Sequence, residues 1–256
     1  MINVNLELTD HCNLRCGMCS QSLRDQAHGA PHQFMDWDTW VALLKGLEGL
    51  DDDVHLCPHW LGEPTLHPRF EDFVEYAFAV NGPGRLFAEF KLHTNAVIFD
   101  EARSLRLLRL ANAPHVPPDC FQSIHFSIDA FSQASYLAVK GSDKREKVYR
   151  NVKRFLELRA ELGVNRPSAH IAFVVQENNA SEASLFLAHW GELLSSLGSE
   201  FDLTWDWPNA RRDAIYFRPL NSGDQGQADR LHAQVCRELG LVDAGDGERL
   251  RAAGSF

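Results

Sequence analysis

Short apolar stretches and amphipathic stretches alternate along this chain six times over. That order limits the fold more than any other feature. Residues 3–8 alternate apolar and polar side chains, which is a strand pattern. Residues 37–50 repeat apolar side chains at helical spacing (Trp37, Trp40, Val41, Leu44, Leu47), with Asp36 or Asp38 as the cap. Residues 54–60, 86–93, 123–128, 169–175 and 203–207 read as further strands. Between them, 68–80, 100–110, 144–162 and 181–197 read as helices, the last capped by Ser181. Residues 215–220 form a short extended piece, 227–239 a terminal helix, and a Gly/Asp-rich tail follows. A strand that returns to its sheet through a helix does so in parallel and with right-handed sense. An α/β architecture follows, either a barrel or a doubly wound sheet. At 256 residues, without repeat or linker, the chain reads as one main domain over 1–220 plus an extension over 221–256.

Charge narrows the partners. Lys and Arg number 25 and Asp and Glu 35, a formal net charge of −10. Such a surface is a poor match for nucleic acid or an anionic membrane. No apolar run reaches the ~18–20 residues that span a bilayer. The first eight residues lack the basic lead and apolar stretch of a signal peptide, so the expected location is cytoplasmic. The chain has six cysteines, and in that reducing setting a tight cluster of them reads as metal or redox chemistry rather than crosslinks.

Three of the six crowd one segment, Asp10-His11-Cys12-Asn13-Leu14-Arg15-Cys16-Gly17-Met18-Cys19. A disulfide would leave one thiol over. Zinc needs a fourth ligand, for which His11, His28 and His32 are at hand. Three thiolates can also hold three irons of a [4Fe–4S] cube and leave the fourth iron open to a small molecule. Four cysteines would instead suit plain electron transfer. The segment follows the first strand, at the carboxyl edge where α/β sites are built.

The spacing C-x3-C-x2-C resembles the signature of the radical S-adenosylmethionine (radical SAM) superfamily, with Met18 at a position more often aromatic. Leu61-Gly62-Glu63-Pro64 resembles that family's Gly-Gly-Glu-Pro element, with Leu61 in place of the first glycine. His93-Thr94-Asn95 resembles its Thr-Asn-Gly, and Ser127-Ile128-Asp129 its Ser-x-Asp. Lys140-Gly141 falls where many members have Arg-Gly. Each element alone is ordinary turn chemistry. Together they end four successive strands in family order.

The resemblance implies a partial (β/α)6 barrel and a cluster held by Cys12, Cys16 and Cys19. It places S-adenosylmethionine (SAM) against Met18, Gly62, Glu63, Pro64, Thr94, Asn95, Ser127, Asp129 and Lys140, with Glu63 near the amino group and Lys140 near the carboxylate. It also implies reductive cleavage of SAM to a 5′-deoxyadenosyl radical, hydrogen abstraction from substrate, and an external electron donor such as flavodoxin or ferredoxin.

Only Cys236 lies beyond residue 120, so no auxiliary cluster is expected and a redox-neutral epimerisation or rearrangement is favoured. A hydrogen donor on the opposite substrate face would then be a thiol, with Cys57 first among Cys57, Cys120 and Cys236. Trp205, Trp207 and Arg211 end or follow the sixth strand and are candidate contacts for a sugar-like or anionic small molecule. His28, His32, His55, His59 and His67 crowd the first two strand–helix connections. Two other readings stand beside the small-molecule enzyme: a peptide-modifying maturase with a separate leader-binding partner, and a non-catalytic zinc or iron–sulfur protein.

Overall fold

The computed structural model describes residues 1–22, 32–50, 53–117 and 120–241. His28 and the tail beyond residue 241 lie outside them. Within the described residues, seven strands form one sheet: β1 (Ile2–Asn5), β2 (Val54–Cys57), β3 (Glu89–Thr94), β4 (Phe121–Ser127), β5 (Ser168–Val175), β6 (Phe201–Thr204) and β7 (Asp213–Pro219). Their order is β1-β2-β3-β4-β5-β7-β6, every neighbouring pair is parallel, and β1 and β6 remain as open edges. The helices are α1 (Trp37–Lys45), α2 (Phe70–Gly84), α3 (Glu101–Ala111), α4 (Gln133–Lys140), α5 (Arg145–Glu161), α6 (Ala183–Ser196) and α7 (Gln225–Glu238). The partial-barrel expectation holds, as an unclosed parallel sheet with its helices outside.

Three elements depart from the sequence reading. Where the sequence predicts a short extended piece over 215–220, residues 213–219 form a seven-residue strand inserted between β5 and β6. Its outward Ile215 and Phe217 are wholly buried, whereas all of β6 is half-buried at the edge. Arg159 of α5 anchors the first residue of β7 by a buried pair with Asp213. Helix α4 is too short to register as a helical pattern. It is fixed at its start by Ser132, whose side chain accepts from Ser135 N, and at its end by left-handed Gly141. Ser181 caps nothing: it sits in a 3-10 turn, Ala180–Glu182, ahead of α6. The Glu182 carboxylate instead accepts from the N–H groups of Phe131 and Ser132, at 3.1 and 3.0 Å, and steadies the start of α4.

Each strand is two-sided. Outward residues such as Leu56, Phe90, Leu92, Ile124, Phe126, Ile171 and Phe173 join the core beneath the helices. There Phe126 meets Phe99 and Phe155 at ring distances of 5.5 and 5.3 Å. Most inward residues are polar: His55 and Cys57 on β2, Glu89, Lys91 and His93 on β3, Ser123 and His125 on β4, His170 on β5, and Tyr216 and Arg218 on β7, with Ala172, Val174 and Ala214 as apolar exceptions. A parallel sheet covered on both faces would read as continuous apolar runs. The alternation here marks a polar lumen.

Candidate active site

Cys12, Cys16 and Cys19 lie on the loop that leaves β1 toward the carboxyl end of the sheet. All three are half-buried and unbridged. Burial pushes the Cys12 thiol up to about 11, against a pull from the Leu14 N–H, and the neighbouring Cys16 and Cys19 add to the rise. Burial also raises Cys16, with the Lys140 ammonium opposing. The thiols are therefore close enough to act on one another. Among the described residues, however, no three His, Cys, Asp or Glu side chains gather on one metal ion. A single zinc needs its sulfurs at about 2.3 Å from one point. A cube with irons at separate corners takes thiolates that are spread apart, so this donor set fits the cluster better than zinc.

Two glycines clamp the loop. A Cβ on Gly62 would stand 2.0 Å from the Thr9 carbonyl oxygen. Gly141, at φ +62°, would place a Cβ 2.7 Å from the Arg15 carbonyl oxygen. Backbone hydrogen bonds complete the seat: Glu63 N donates to His11 O at 2.7 Å and Arg15 N to Lys140 O at 3.4 Å. Inside the loop, Arg15 Nη1 donates to Cys12 O at 2.7 Å.

Around the mouth, Glu63 joins the ends of β2 and β3. Its carboxylate is buried and accepts from Thr65 N, Thr65 Oγ1, Thr94 Oγ1 at 2.8 Å and Asn95 N at 2.7 Å. Burial raises its pKa and these hydrogen bonds oppose the rise. Pro64 opens the 3-10 turn Pro64–Leu66, which Glu63 caps. Asn95 Nδ2 reaches Asn13 Oδ1 at 2.7 Å and lies 3.8 Å from Cys12 Sγ. Met18 Sδ lies 3.5 Å from Gln176 Nε2, just past β5.

Ser127, Asp129 and Lys140 form a second, buried knot. Lys140 is 2% exposed and Asp129 0%. Lys140 Nζ pairs with Asp129 Oδ2 and donates to Ser127 Oγ at 3.1 Å, while Asp129 Oδ1 accepts from Val174 N at 2.8 Å. Burial lowers the Lys140 pKa, but Asp129 and Cys16 outweigh it and the net shift is upward. Asp129 holds φ +60°, a left-handed conformation uncommon outside glycine. Lys140 thus stands behind the cysteine loop rather than projecting from the rim, and its charge is met inside the chain.

The lumen below this mouth is rich in imidazole. His59, His93 and His125 stack in a row, with ring centroids 5.3 and 4.2 Å apart and planes within 6°. His170 Nδ1 lies 2.9 Å from His125 Nε2, and His170 Nε2 lies 3.2 and 3.1 Å from the carbonyls of Asn209 and Arg212. Burial brings His59 and His170 down to about 4 and holds His93 and His125 well below the usual range. Neutral rings fix the tautomers. A carbonyl only accepts, so His170 Nε2 carries hydrogen, its Nδ1 accepts, and His125 Nε2 donates. Sequence reasoning missed His93, His125 and His170, because each sits alone on its own strand. The available signal was polar residues alternating within otherwise apolar strands.

Other candidates move. β6 ends at Thr204, so Trp205 and Trp207 follow that strand end, within the return loop of 205–212. That loop runs across the concave face, and Trp207, 43% exposed, stacks on His125 at 5.3 Å. Arg211 lies two residues before β7, at the amino edge of the sheet. Next to it Arg212 pairs with Asp202 and Glu200. Neither arginine is at the mouth, because the return loop must descend a full strand length to begin β7. Of the lone cysteines, Cys57 faces the lumen. Cys120 lies against Asn81 of α2, and Cys236 against His232 of α7. His32 meets Asp10 and His67 meets Met35 O, both outside the lumen.

A model of the Radical SAM superfamily matches residues 6–186, well over half of the chain. The chain belongs to the radical SAM superfamily. It is an enzyme of that family, which uses a [4Fe–4S] cluster and S-adenosylmethionine and needs an electron donor and a substrate. It is 27% identical over 174 residues to the tungsten-containing aldehyde ferredoxin oxidoreductase cofactor-modifying protein of Pyrococcus furiosus. That match takes in 68% of this chain but 44% of the relative, so the chain spans under half the length of that protein. Among solved structures, native anSMEcpe with bound AdoMet superposes with a TM-score of 0.59 at 14% identity, over 93% of this chain and 59% of that one. Native anSMEcpe with bound AdoMet and Kp18Cys peptide gives 0.58 at 16%, over 93% and 59%. Both likenesses show the fold. Among the described residues no helix is long and apolar enough to cross a membrane.

Proposed function

We propose that Cys12, Cys16 and Cys19 hold the [4Fe–4S] cluster, that the rim built by residues 62–65, 94–95, 127–129 and Met18 holds SAM, and that the lumen holds a small-molecule substrate. The observation that carries this reading is the cysteine loop clamped by Gly62 and Gly141 at the carboxyl edge of a sheet whose inner face is polar. When bound, cluster and SAM supply the 5′-deoxyadenosyl radical, which takes a hydrogen atom from an unactivated carbon.

The chain's own residues position and shield that chemistry. The three thiols must lose their protons to serve as ligands, which iron enforces despite their burial. Asn95 fixes Cys12 against the end of β3. Glu63 accepts four hydrogen bonds from the chain and so locks its own turn to the end of β3, which fixes the shape of the rim. The Lys140–Asp129 pair supports the loop from behind and keeps Cys16 beside a fixed positive charge. Cys57 is the lumen-facing thiol and the candidate donor of a hydrogen atom to a substrate radical. Its S–H bond would break as the product C–H bond forms, and the thiyl would be restored by one electron and one proton from the external reductant. That route is redox-neutral for the substrate. The likeness to a protein named for modifying a cofactor supports a small molecule over a peptide.

Anaerobic reconstitution tests the proposal. About four irons per chain, with 5′-deoxyadenosine formed after reduction in the presence of SAM, is the expected result. Cys16→Ala should abolish both the brown chromophore and the nucleoside product. One zinc and no nucleoside would reject the proposal.

A further inference from the structure

Arg218 is the lumen's unassigned cation. It lies near the end of β7 and pairs in register with Val174 of β5. It shares the inward face with Tyr216, two residues before it, which packs edge-on against Trp207 at 5.9 Å. Its side chain is half-buried, and among the described residues no group hydrogen-bonds or ion-pairs with it. Asp206 is the carboxylate on Tyr216's side. Its Oδ1 accepts from Trp207 N at 2.7 Å, and it forms no ion pair with Arg218. A half-buried guanidinium without a counter-charge has lost part of its hydration and gains from an anion that meets it.

A second cation lies lower on the same inward face of the sheet. Lys91 on β3 lies over the Trp207 ring at 5.6 Å, and its pairing with Glu89 is long, at 3.5 Å. His55 shares that carboxylate, at 3.0 Å. Glu89 is therefore divided between two partners at the bottom of the lumen, and none of its charge is directed to Arg218. Both cations act on His93 and His125, adding to the effect of burial in keeping those imidazoles neutral. With the imidazoles neutral, Arg218 is left, among the described residues, as an inward cation with no hydrogen-bonded or ion-paired carboxylate.

Resting on the functional reading above, we propose that Arg218 forms an oxyanion subsite in the lumen that binds a phosphate or carboxylate group of the substrate. The planar fork of Arg218 suits two oxygens of one group. His125 adds a complementary requirement. Because its Nε2 donates to His170, its Nδ1 is an acceptor, and no group among the described residues donates to it. It selects a substrate that carries a hydroxyl or amine donor near its anionic end. The anion-binding role that the sequence suggested for Arg211 thus falls to Arg218.

The test is calorimetric titration of the reconstituted, SAM-loaded enzyme with inorganic phosphate and, separately, with acetate. Binding of either is expected, and the preferred ion tells a phosphorylated substrate from a carboxylated one. Arg218→Met should weaken it at least about tenfold. Arg218→Lys should retain part of it as a point charge, and Lys153→Met on the outer surface should leave it unchanged. SAM affinity, measured by equilibrium dialysis, should be the same in wild type and Arg218→Met. If neither ion binds wild type, or if Arg218→Met binds as well as wild type, the subsite does not exist. If Arg218→Met loses SAM instead, the guanidinium serves the SAM carboxylate and the proposal is overturned. Should Arg218→Met fail to fold, wild type against Arg218→Lys still decides, because equal binding by the two rejects a fork-specific site. An enzyme that cleaves SAM but ignores both ions sinks this proposal alone. One that binds an ion but makes no 5′-deoxyadenosine sinks the functional reading alone.

Discussion

The two faces of the same sheet follow different rules. On β3, Phe90 and Leu92 point outward into a close-packed layer with α2 and α3, while Glu89, Lys91 and His93 point inward into polar space. On β4 the pair is Phe126 outside and His125 inside. The outer face provides most of the free energy of folding, since apolar burial is worth roughly 25 cal/mol per Å2. The inner face contributes little of that and holds groups that are expensive to enclose. Stability and chemistry are thus separated by a single residue step along each strand.

The largest expected effect is on the outer face. Phe126→Ala should cost about 3–5 kcal/mol, read from the denaturant midpoint, because a wholly buried ring between Phe99 and Phe155 would leave a cavity. Asp129→Asn should come close to it. Asn tolerates the left-handed backbone, so the change removes only the charge and strands a buried Lys140, at about 3 kcal/mol or more. Gly62→Ala should cost roughly 1–3 kcal/mol and lower the iron content, as the cysteine loop is pushed off its seat.

Acid should attack the inner face selectively. His170 falls to about 4 in the folded chain and has an ordinary value when unfolded. Above about pH 6.5 it is neutral in both states and its effect is nil. As the pH drops below that, only the unfolded chain takes the proton, so stability declines by up to about 1.4 kcal/mol per pH unit and levels off near pH 4. His170→Asn should flatten this limb in urea melts run between about pH 7 and pH 4. The smallest effect should come from His93→Gln, within roughly 1 kcal/mol of wild type by thermal melting. A loss as large as that of Phe126→Ala would erase the distinction between the faces.

The sequence carried the outer face well and the inner face poorly. Helical spacing such as Trp37-Trp40-Leu44 and apolar strand runs such as 169–175 are local signals, and the structure keeps them. The rim motifs were visible because each sits beside a strand end. The lumen was hidden because its members converge only in three dimensions: His59, His93, His125 and His170 come from different strand regions, and no local pattern joins them. Residues 205–212 misled for a related reason. Trp205 and Trp207 do follow the end of β6, but the chain turns there and descends so that β7 can take the place beside β5. Arg211 was carried away from the mouth by that descent.

The double glycine clamp has a consequence for the life of the enzyme. A segment whose Thr9 and Arg15 carbonyls rest against Gly62 and Gly141 is shaped before any iron arrives. Little chain entropy remains to be lost when the metal is loaded, so oxidative damage to the cluster should strip the cargo and spare the scaffold. Repair then becomes a matter of refilling a standing vessel, without a fresh round of folding.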